Sequence, residues 1–173
     1  MFALFRHKPV FRDDTFRDFA EMLTDDDGSP TYRGDLLHPE LLDYSLDSLR
    51  HLDNYLDAIY IDLPPDENLY RVVLRAGSYA GEVIRRQSSL TEFHWTTYRD
   101  AAPFSSQLKK QGMHLGTVGV LWASRDVVCL PLGRVCRYIA NGPEESLFGF
   151  ASALLSAELR SFWPVGTTGS HNA

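Results

Sequence analysis

Residues 66–87 read DENLYRVVLRAGSYAGEVIRRQ, and the apolar side chains among them recur every three or four positions, as on one face of an α-helix. Pro64-Pro65 precedes this stretch, and Asp66 and Glu67 suit the positive end of a helix dipole, so the sequence predicts a helix that begins here. We expect this helix to be the central one of the fold. Its apolar face is made of Leu69, Val72, Val73, Ala76, Ala80, Val83 and Ile84.

Two glycines, Gly77 and Gly81, lie four residues apart beside this apolar face. A glycine inside a helix costs about 1 kcal/mol relative to alanine, so two on one face predict that a large group packs against the backbone. Glu82 and Arg85 follow. For Glu82 we favour an ion pair with an arginine one helical turn further along the helix. The alternative is that Glu82 is a buried carboxylate with a function. We expect the arginines of this helix to pair with the acidic helix that precedes it: Arg71, Arg75, Arg85 and Arg86.

Four further helices are predicted from the same apolar spacing. The first is capped by Asp14 or Thr15 and ends at the turn 25–30; the second is capped by Ser45. A short helix follows Pro131, and Pro143 opens the last one. Their apolar residues are, in chain order, Phe16, Phe19, Ala20 and Leu23; Leu46, Leu49, Leu52, Leu56 and Ile59; Leu132, Val135, Cys136 and Ile139; and Leu147, Phe148, Phe150, Ala151, Leu154 and Leu155.

The period changes to two in the second half of the chain. Large side chains alternate or cluster, as is typical of strands, over residues 92–98, 115–123 and 127–130. A turn is predicted at Asp126, between the last two strands. We therefore predict one α+β domain over residues 1–165, in which helices pack on a small, mainly antiparallel sheet of about three to four strands. Residues 1–40 form its acidic N-terminal helix and loop, and we expect the tail 166–173 to be flexible.

The charge of the chain is strongly asymmetric. Residues 1–70 contain sixteen acidic and six basic residues, whereas residues 71–173 contain seven acidic and eleven basic residues; the net charge is −6. Such asymmetry bears on association with partners rather than on the fold. The acidic balance argues against general nucleic-acid binding, which needs a basic surface.

The sequence contains no recognisable catalytic, metal-binding or cofactor motif. Its six histidines lack the spacing of metal ligands, and we interpret His94 as a hydrogen-bonded strand residue. The acidic run 25–27 does not fit a calcium-binding loop, because Leu23 and Gly34 occupy the first and twelfth ligand positions; a solvated turn is favoured. We expect no metal and no cofactor, and we favour a protein that is not an enzyme.

The apolar stretches are far shorter than the roughly 20 residues that span a bilayer, so we expect no membrane association. Cys129 and Cys136 are not arranged as a redox pair, which favours reduced thiols and a cytoplasmic location.

The segment Gly77-Ser-Tyr-Ala-Gly-Glu-Val-Ile-Arg-Arg86 resembles a pattern in small bacterial proteins, some of which are encoded beside polymorphic toxins. The resemblance extends over about residues 41–155. It includes the acidic, leucine-rich helix upstream and the Asn141-Gly-Pro-Glu-Glu145 break before the last helix. The resemblance implies a similar fold and an immunity-like function.

Three functions remain open. In the first, the chain binds and neutralises a basic protein, such as a toxin domain, through an acidic surface with aromatic anchors; the alternative is that the acids only keep the surface soluble. Charge reversal at 25–27 is then expected to slow association. The residues assigned to this surface are Asp13, Asp14, Asp18, Asp25, Asp26, Asp27, Tyr32, Asp43, Tyr44 and Asp47, with Tyr55 and Asp57 as further candidates.

In the second, a pocket beside the central helix binds a small molecule or substrate through Glu82, Arg85, His94 and Tyr98. In the third, the chain is a structural subunit that associates with itself through its aromatic C-terminal region, which contains Phe148, Phe150, Phe162 and Trp163.

Overall fold

The chain forms helices that pack on a three-stranded antiparallel sheet, which confirms the predicted α+β class. The computed structural model describes residues 8–25 and 28–161; Phe162, Trp163 and the tail 166–173 lie outside these ranges. The elements are α1 (Asp13–Glu21), α2 (Ser48–Ile61), α3 (Asp66–Gln87), β1 (His94–Thr97), α4 (Tyr98–Ala101), α5 (Ser106–Gln111), β2 (Gly119–Ser124), β3 (Val127–Cys129), α6 (Pro131–Asn141) and α7 (Leu147–Ser161). Short 3₁₀ turns occupy Gly34–Leu36, Pro39–Leu41, Ala102–Phe104, Leu115–Thr117 and Pro143–Glu145.

Helix α3 is central, and both of its ends lie where the sequence predicts them. Every residue from Val72 to Ile84 is buried, because α1, α6 and α7 pack around this part of the helix. Burial on all sides means that α3 organises the core.

Gly77 and Gly81 allow two neighbours to touch the backbone of α3. A methyl group at Gly77 would lie 2.7 Å from Cα of Leu132, in the first turn of α6, and one at Gly81 would overlap the indole ring of Trp95. The prediction that a large group packs here is confirmed. The groups are a helix backbone and a tryptophan ring.

The sheet has the order β1-β2-β3, and both of its faces are covered. In the register of the three strands, Trp95 pairs with Leu121, and Leu121 pairs with Cys129. These three side chains belong to the core around α3. Val120 and Trp122 point to the other face, where α4, α5 and the turn between them form a second, smaller core. These short helices were not predicted from the sequence.

All three strands are shorter than predicted, and β3 ends at Cys129, one residue before its predicted end. Strand β1 ends at Thr97 because the Thr97 hydroxyl accepts a hydrogen bond from the backbone N–H of Asp100 and caps α4. Strand β2 begins only at Gly119 because Thr117 and His114 exchange hydrogen bonds that close a 3₁₀ turn.

The predicted cap of α1 is wrong. Arg12 occupies the N-cap position without a side-chain cap, and Asp13 and Asp14 lie in the first turn. Asp13 instead accepts a hydrogen bond from the backbone N–H of Trp95 (2.6 Å) and contacts Nδ1 of His94 (2.9 Å). Asp13 therefore fastens α1 to β1.

The start of α2 and the start of α7 also differ from prediction. Helix α2 begins at Ser48, three residues after the predicted cap, because Ser45 closes a preceding turn in which its hydroxyl accepts from the Ser48 N–H. Pro143 opens a separate 3₁₀ turn rather than α7. Within the described residues, no helix is both long and apolar enough to cross a bilayer.

Candidate functional site

Helix α1 presents a row of carboxylates to solvent. Asp14, Asp18 and Glu21 are spaced four and three residues apart, which places them on one helix face, and all three are exposed. Asp14 is 83% exposed and pairs with Arg17 on the same helix, at 2.8 Å. The opposite face of α1 is apolar, and Phe16 stacks on Trp95 with ring centroids 4.5 Å apart. Packing of the apolar face thus turns the acidic face outward.

A second group of acids lies just before α2. Asp43 and Asp47 are exposed, and Asp47 is held by Nε of Arg50 at 3.2 Å. Hydrogen bonds from Ser45 lower the pKa of Asp43, so this carboxylate is ionised at neutral pH.

Tyr44 joins the two groups. Its ring stacks on Tyr79, and the guanidinium of Arg86 lies 3.6 Å from its centroid. Burial raises the pKa of the Tyr44 hydroxyl; Arg86 opposes the rise, and the charge of Glu21 on α1 adds to it. We call the exposed carboxylates of α1 and of the segment before α2 the acidic surface: Asp14, Asp18, Glu21, Asp43 and Asp47.

Other residues assigned to partner binding have different positions. Tyr55 is buried and donates to the backbone carbonyl of Tyr32, and Asp57 accepts from the hydroxyl of Tyr138. Tyr55 is therefore not an exposed anchor, and Asp57 supports the packing of α2 against α6. Tyr32 and Tyr44 are only half-buried.

The acidic turn after α1 is described only in part. Asp25 is exposed and lines a cavity of about 540 Å³ that Arg33 also borders. Asp26 and Asp27 lie outside the described residues.

Glu82 forms a buried ion-pair cluster. Its side chain is fully buried, pairs with Arg85 at 2.9 Å and with Arg86 at 3.3 Å, and accepts a hydrogen bond from Nε1 of Trp95 at 2.9 Å. The hydrogen bond from Arg85 to Glu82 raises the pKa of the Arg85 guanidinium, and the charges of Asp13 and Asp14 contribute in the same direction. The favoured interpretation, an ion pair within the helix, is confirmed.

The expected pairing of α3 arginines with α2 is wrong. Arg85 and Arg86 pair within their own helix, and Arg75 donates to the hydroxyl of Thr31 at 2.9 Å. In the described part of the chain, neither these three arginines nor Arg71 forms an ion pair with an acid of α2.

The four residues proposed for a pocket are not brought together. Neither Glu82 nor Arg85 lines any of the four best-formed cavities of the described residues. His94 faces a groove on the other side of the sheet, and Tyr98 packs against the second core.

The cysteines are separate and shielded. Burial raises the pKa of the Cys129 thiol to about 12, and burial also raises that of the half-buried Cys136. Within the described residues, no three His, Cys, Asp or Glu side chains are grouped as metal ligands.

The aromatic residues of α7 contact their own chain. The guanidinium of Arg50 lies 3.4 Å from the ring centroid of Phe148, and that of Arg134 lies 5.4 Å from Phe150. Both phenylalanines pack against the main core. Self-association through this region stays a prediction.

Sequence reasoning missed two acids. Glu21 belongs to the acidic surface, and its position seven residues after Asp14 was a readable signal. Asp53 caps α7 from α2, accepting hydrogen bonds from the N–H groups of Leu147 (2.8 Å) and Phe148 (3.2 Å). No local pattern could have revealed a contact between residues more than ninety positions apart.

No protein-family model, curated protein or solved structure matches this chain.

Proposed function

We propose that the chain is a non-enzymatic protein-binding protein that recognises a basic partner through its acidic surface. The observation that carries this proposal is the exposure of carboxylates on one face of α1 and in the segment before α2, where the charge of Glu21 on α1 acts on Tyr44. Arg17 pairs with Asp14 and Arg50 pairs with Asp47, whereas Arg86 is shared with Glu82 and Tyr44. Among the described residues, Asp18, Glu21 and Asp43 have no ion pair, and their charge is left for a partner.

A surface of this kind acts mainly on the encounter. Complementary charge raises association rates and fixes the orientation of the partner, and its effect falls as salt screens the charges. The exposed acids alone contribute little to affinity, because each pair at a wet surface is worth about 0–1 kcal/mol.

Affinity needs apolar anchors among the acids. Met22 directly follows α1 and is 43% exposed, and Leu41 precedes Asp43 and is 39% exposed. These two side chains, rather than Tyr55, are the anchors that we assign to the interface. A flexible methionine suits a surface that must fit a partner closely.

The partner that we propose is a basic toxin domain, which the chain neutralises as an immunity protein. This part of the proposal is supported by the resemblance of residues 77–86 and by the charge of the acidic surface. Glu82, Arg85 and both glycines of that segment hold the core together, so the resemblance concerns the scaffold and the acidic surface would determine the partner.

Affinity capture tests the proposal. The tagged protein is incubated with native lysate at low and high salt, beside the charge-reversed variant D14K/D18K, and bound proteins are identified by mass spectrometry. We expect a basic protein that the unaltered chain captures at low salt and that high salt or the reversal releases. A partner set that is unchanged by the reversal would refute the role of the acidic surface.

The matched control is E67K/E144K. Both acids are exposed. Glu67 lies in the first turn of α3, as Asp14 lies in the first turn of α1. Each double variant therefore makes the same change in net charge and replaces one acid in the first turn of a helix. The charge of Asp14 acts on Arg85, near the end of α3. Glu67 is eighteen residues before Arg85, which corresponds to about 27 Å along the helix. The control is expected to capture the same partner as the unaltered chain.

A further inference from the structure

A large groove lies between the segment before α1 and the β2–β3 hairpin, and none of the residues of the acidic surface lines it. Its volume is about 910 Å³, which is in the range of small-molecule sites. The segment before α1 contributes Lys8 and Phe11, β1 contributes His94, and the hairpin contributes Trp122 and Arg125. Three separate parts of the chain thus build one concave surface.

Aromatic rings line this groove in two pairs. Phe11 stacks on His94 with ring centroids 4.2 Å apart, and Phe104 meets Trp122 edge to face at 6.4 Å. Phe11 remains 38% exposed and Val127, on the opposite side, 43% exposed. Trp122 itself is only 7% exposed, so the exposed apolar surface of the groove comes from Phe11, Val127 and Leu90. Such a surface favours an apolar ligand.

The wall that carries His94 is held in place. Nδ1 of His94 lies 2.9 Å from a carboxylate oxygen of Asp13, and Nε2 lies 3.3 Å from one of Glu92. The contact of Nδ1 with Asp13 holds the imidazole, and with it the phenylalanine ring that stacks on it.

The charges at the groove are unbalanced. Glu92 is the one acid among its described lining residues, and its carboxylate, on a side chain that is 86% exposed, lies 3.3 Å from Nε2 of His94. Lys8 and Arg125 are exposed, and neither has an acid within ion-pair distance among the described residues. Two uncompensated cations border an aromatic cleft in a chain that is acidic as a whole.

We propose that this groove binds a small, flat aromatic anion, such as an aromatic carboxylate. The ring would lie against Phe11 and Trp122, and the carboxylate would meet Lys8 and Arg125 at the rim. The site differs in place, charge and ligand from the acidic surface, so it can be tested independently of the proposed function.

Three probes separate the ring from the charge: 2-naphthoate, the neutral 2-naphthylmethanol with the same ring system, and cyclohexanecarboxylate with the charge but no aromatic ring. Each is titrated into the ¹⁵N-labelled full-length chain, and amide shifts are followed by NMR. We expect saturable binding of 2-naphthoate with shifts at Trp122 and Val127. The neutral and the non-aromatic probes should bind about tenfold more weakly, since exposed charges contribute modestly.

The variant K8A/R125A should weaken 2-naphthoate about tenfold and leave 2-naphthylmethanol unchanged. The control K109A/K110A removes two exposed lysines of α5 that do not line the groove, and it should change nothing. Equal binding of the charged and neutral naphthalenes would overturn the proposal. So would shifts confined to another surface, or no saturable binding of 2-naphthoate at millimolar concentration.

Discussion

Oε1 of Glu82, on α3, accepts a hydrogen bond from Nε1 of Trp95, on β1, at 2.9 Å, and both side chains are fully buried. The same carboxylate also forms ion pairs with Arg85 and Arg86, whose side chains are partly exposed. A charge is tolerated in this core because three donors surround it, and a buried carboxylate without them would be very costly. The contact joins the central helix to the sheet.

Glu82→Ala is expected to destabilise the chain by about 3 kcal/mol, because it removes a buried carboxylate and leaves the indole N–H without an acceptor. The free energy of unfolding in urea measures the loss. Glu21→Ala, which removes an exposed acid, should change it by less than about 0.5 kcal/mol. Similar losses in the two variants would contradict the structural role of Glu82.

Gly81→Ala should destabilise by about 3 kcal/mol, because the added methyl group overlaps the Trp95 ring and overpacks the core. Gly149→Ala is the opposite case. Gly149 is an exposed position of α7 where the nearest atom to a new methyl group is 3.5 Å away, so alanine should stabilise by about 0.5–1 kcal/mol through helix propensity. Thermal unfolding of both variants distinguishes the two effects, and a neutral Gly81→Ala would mean that the indole is not packed on the helix backbone.

Asp53→Ala should lower stability by about 2 kcal/mol, since it removes the acceptor for the first N–H groups of α7 and for the Ser146 hydroxyl. The loss should appear as faster amide hydrogen exchange in the first turn of α7. Asn54→Ala, at an exposed neighbouring position of α2, provides the control. Unchanged exchange at Leu147 and Phe148 in Asp53→Ala would show that the cap does not hold this helix.

The thiols should react in order of exposure. Because burial raises the pKa of Cys129 to about 12, this group is a neutral thiol at pH 8, and the reactive thiolate forms only when the core opens. An aromatic disulfide reagent at pH 8 should therefore modify Cys136 first and Cys129 only at the rate of unfolding. In denaturant, the two should react alike. Rapid modification of Cys129 in the folded chain would contradict its burial.

Local signals account for the part of the fold that was predicted. Helix α3 was placed at both ends because its apolar period and Pro64-Pro65 are properties of neighbouring residues. The predicted caps were wrong by a few residues. Helix α1 begins at Asp13, before the predicted caps Asp14 and Thr15, and Ser45 closes a turn that precedes α2. Asp13 is held by Trp95 and His94, more than eighty positions away, which no local pattern indicates.

The residues of the candidate site were also predicted only in part. The helical period correctly placed Asp14 and Asp18 on an exposed face. Tyr55 was assigned to the surface although it lies three residues after Leu52, on the buried face of α2, so this error was avoidable. The groove could not have been foreseen, because its walls come from segments that meet only through the register of β1 and β2.

The most direct test of the acidic surface is the association rate of the captured basic partner with the unaltered chain, D14K/D18K and E67K/E144K, measured by stopped-flow fluorescence from low to high salt. The unaltered chain and the control should associate at similar rates that fall steeply with salt, and D14K/D18K should associate at least about tenfold more slowly at low salt. Equal rates and equal salt dependence for all three proteins would contradict a role for the acidic surface in binding.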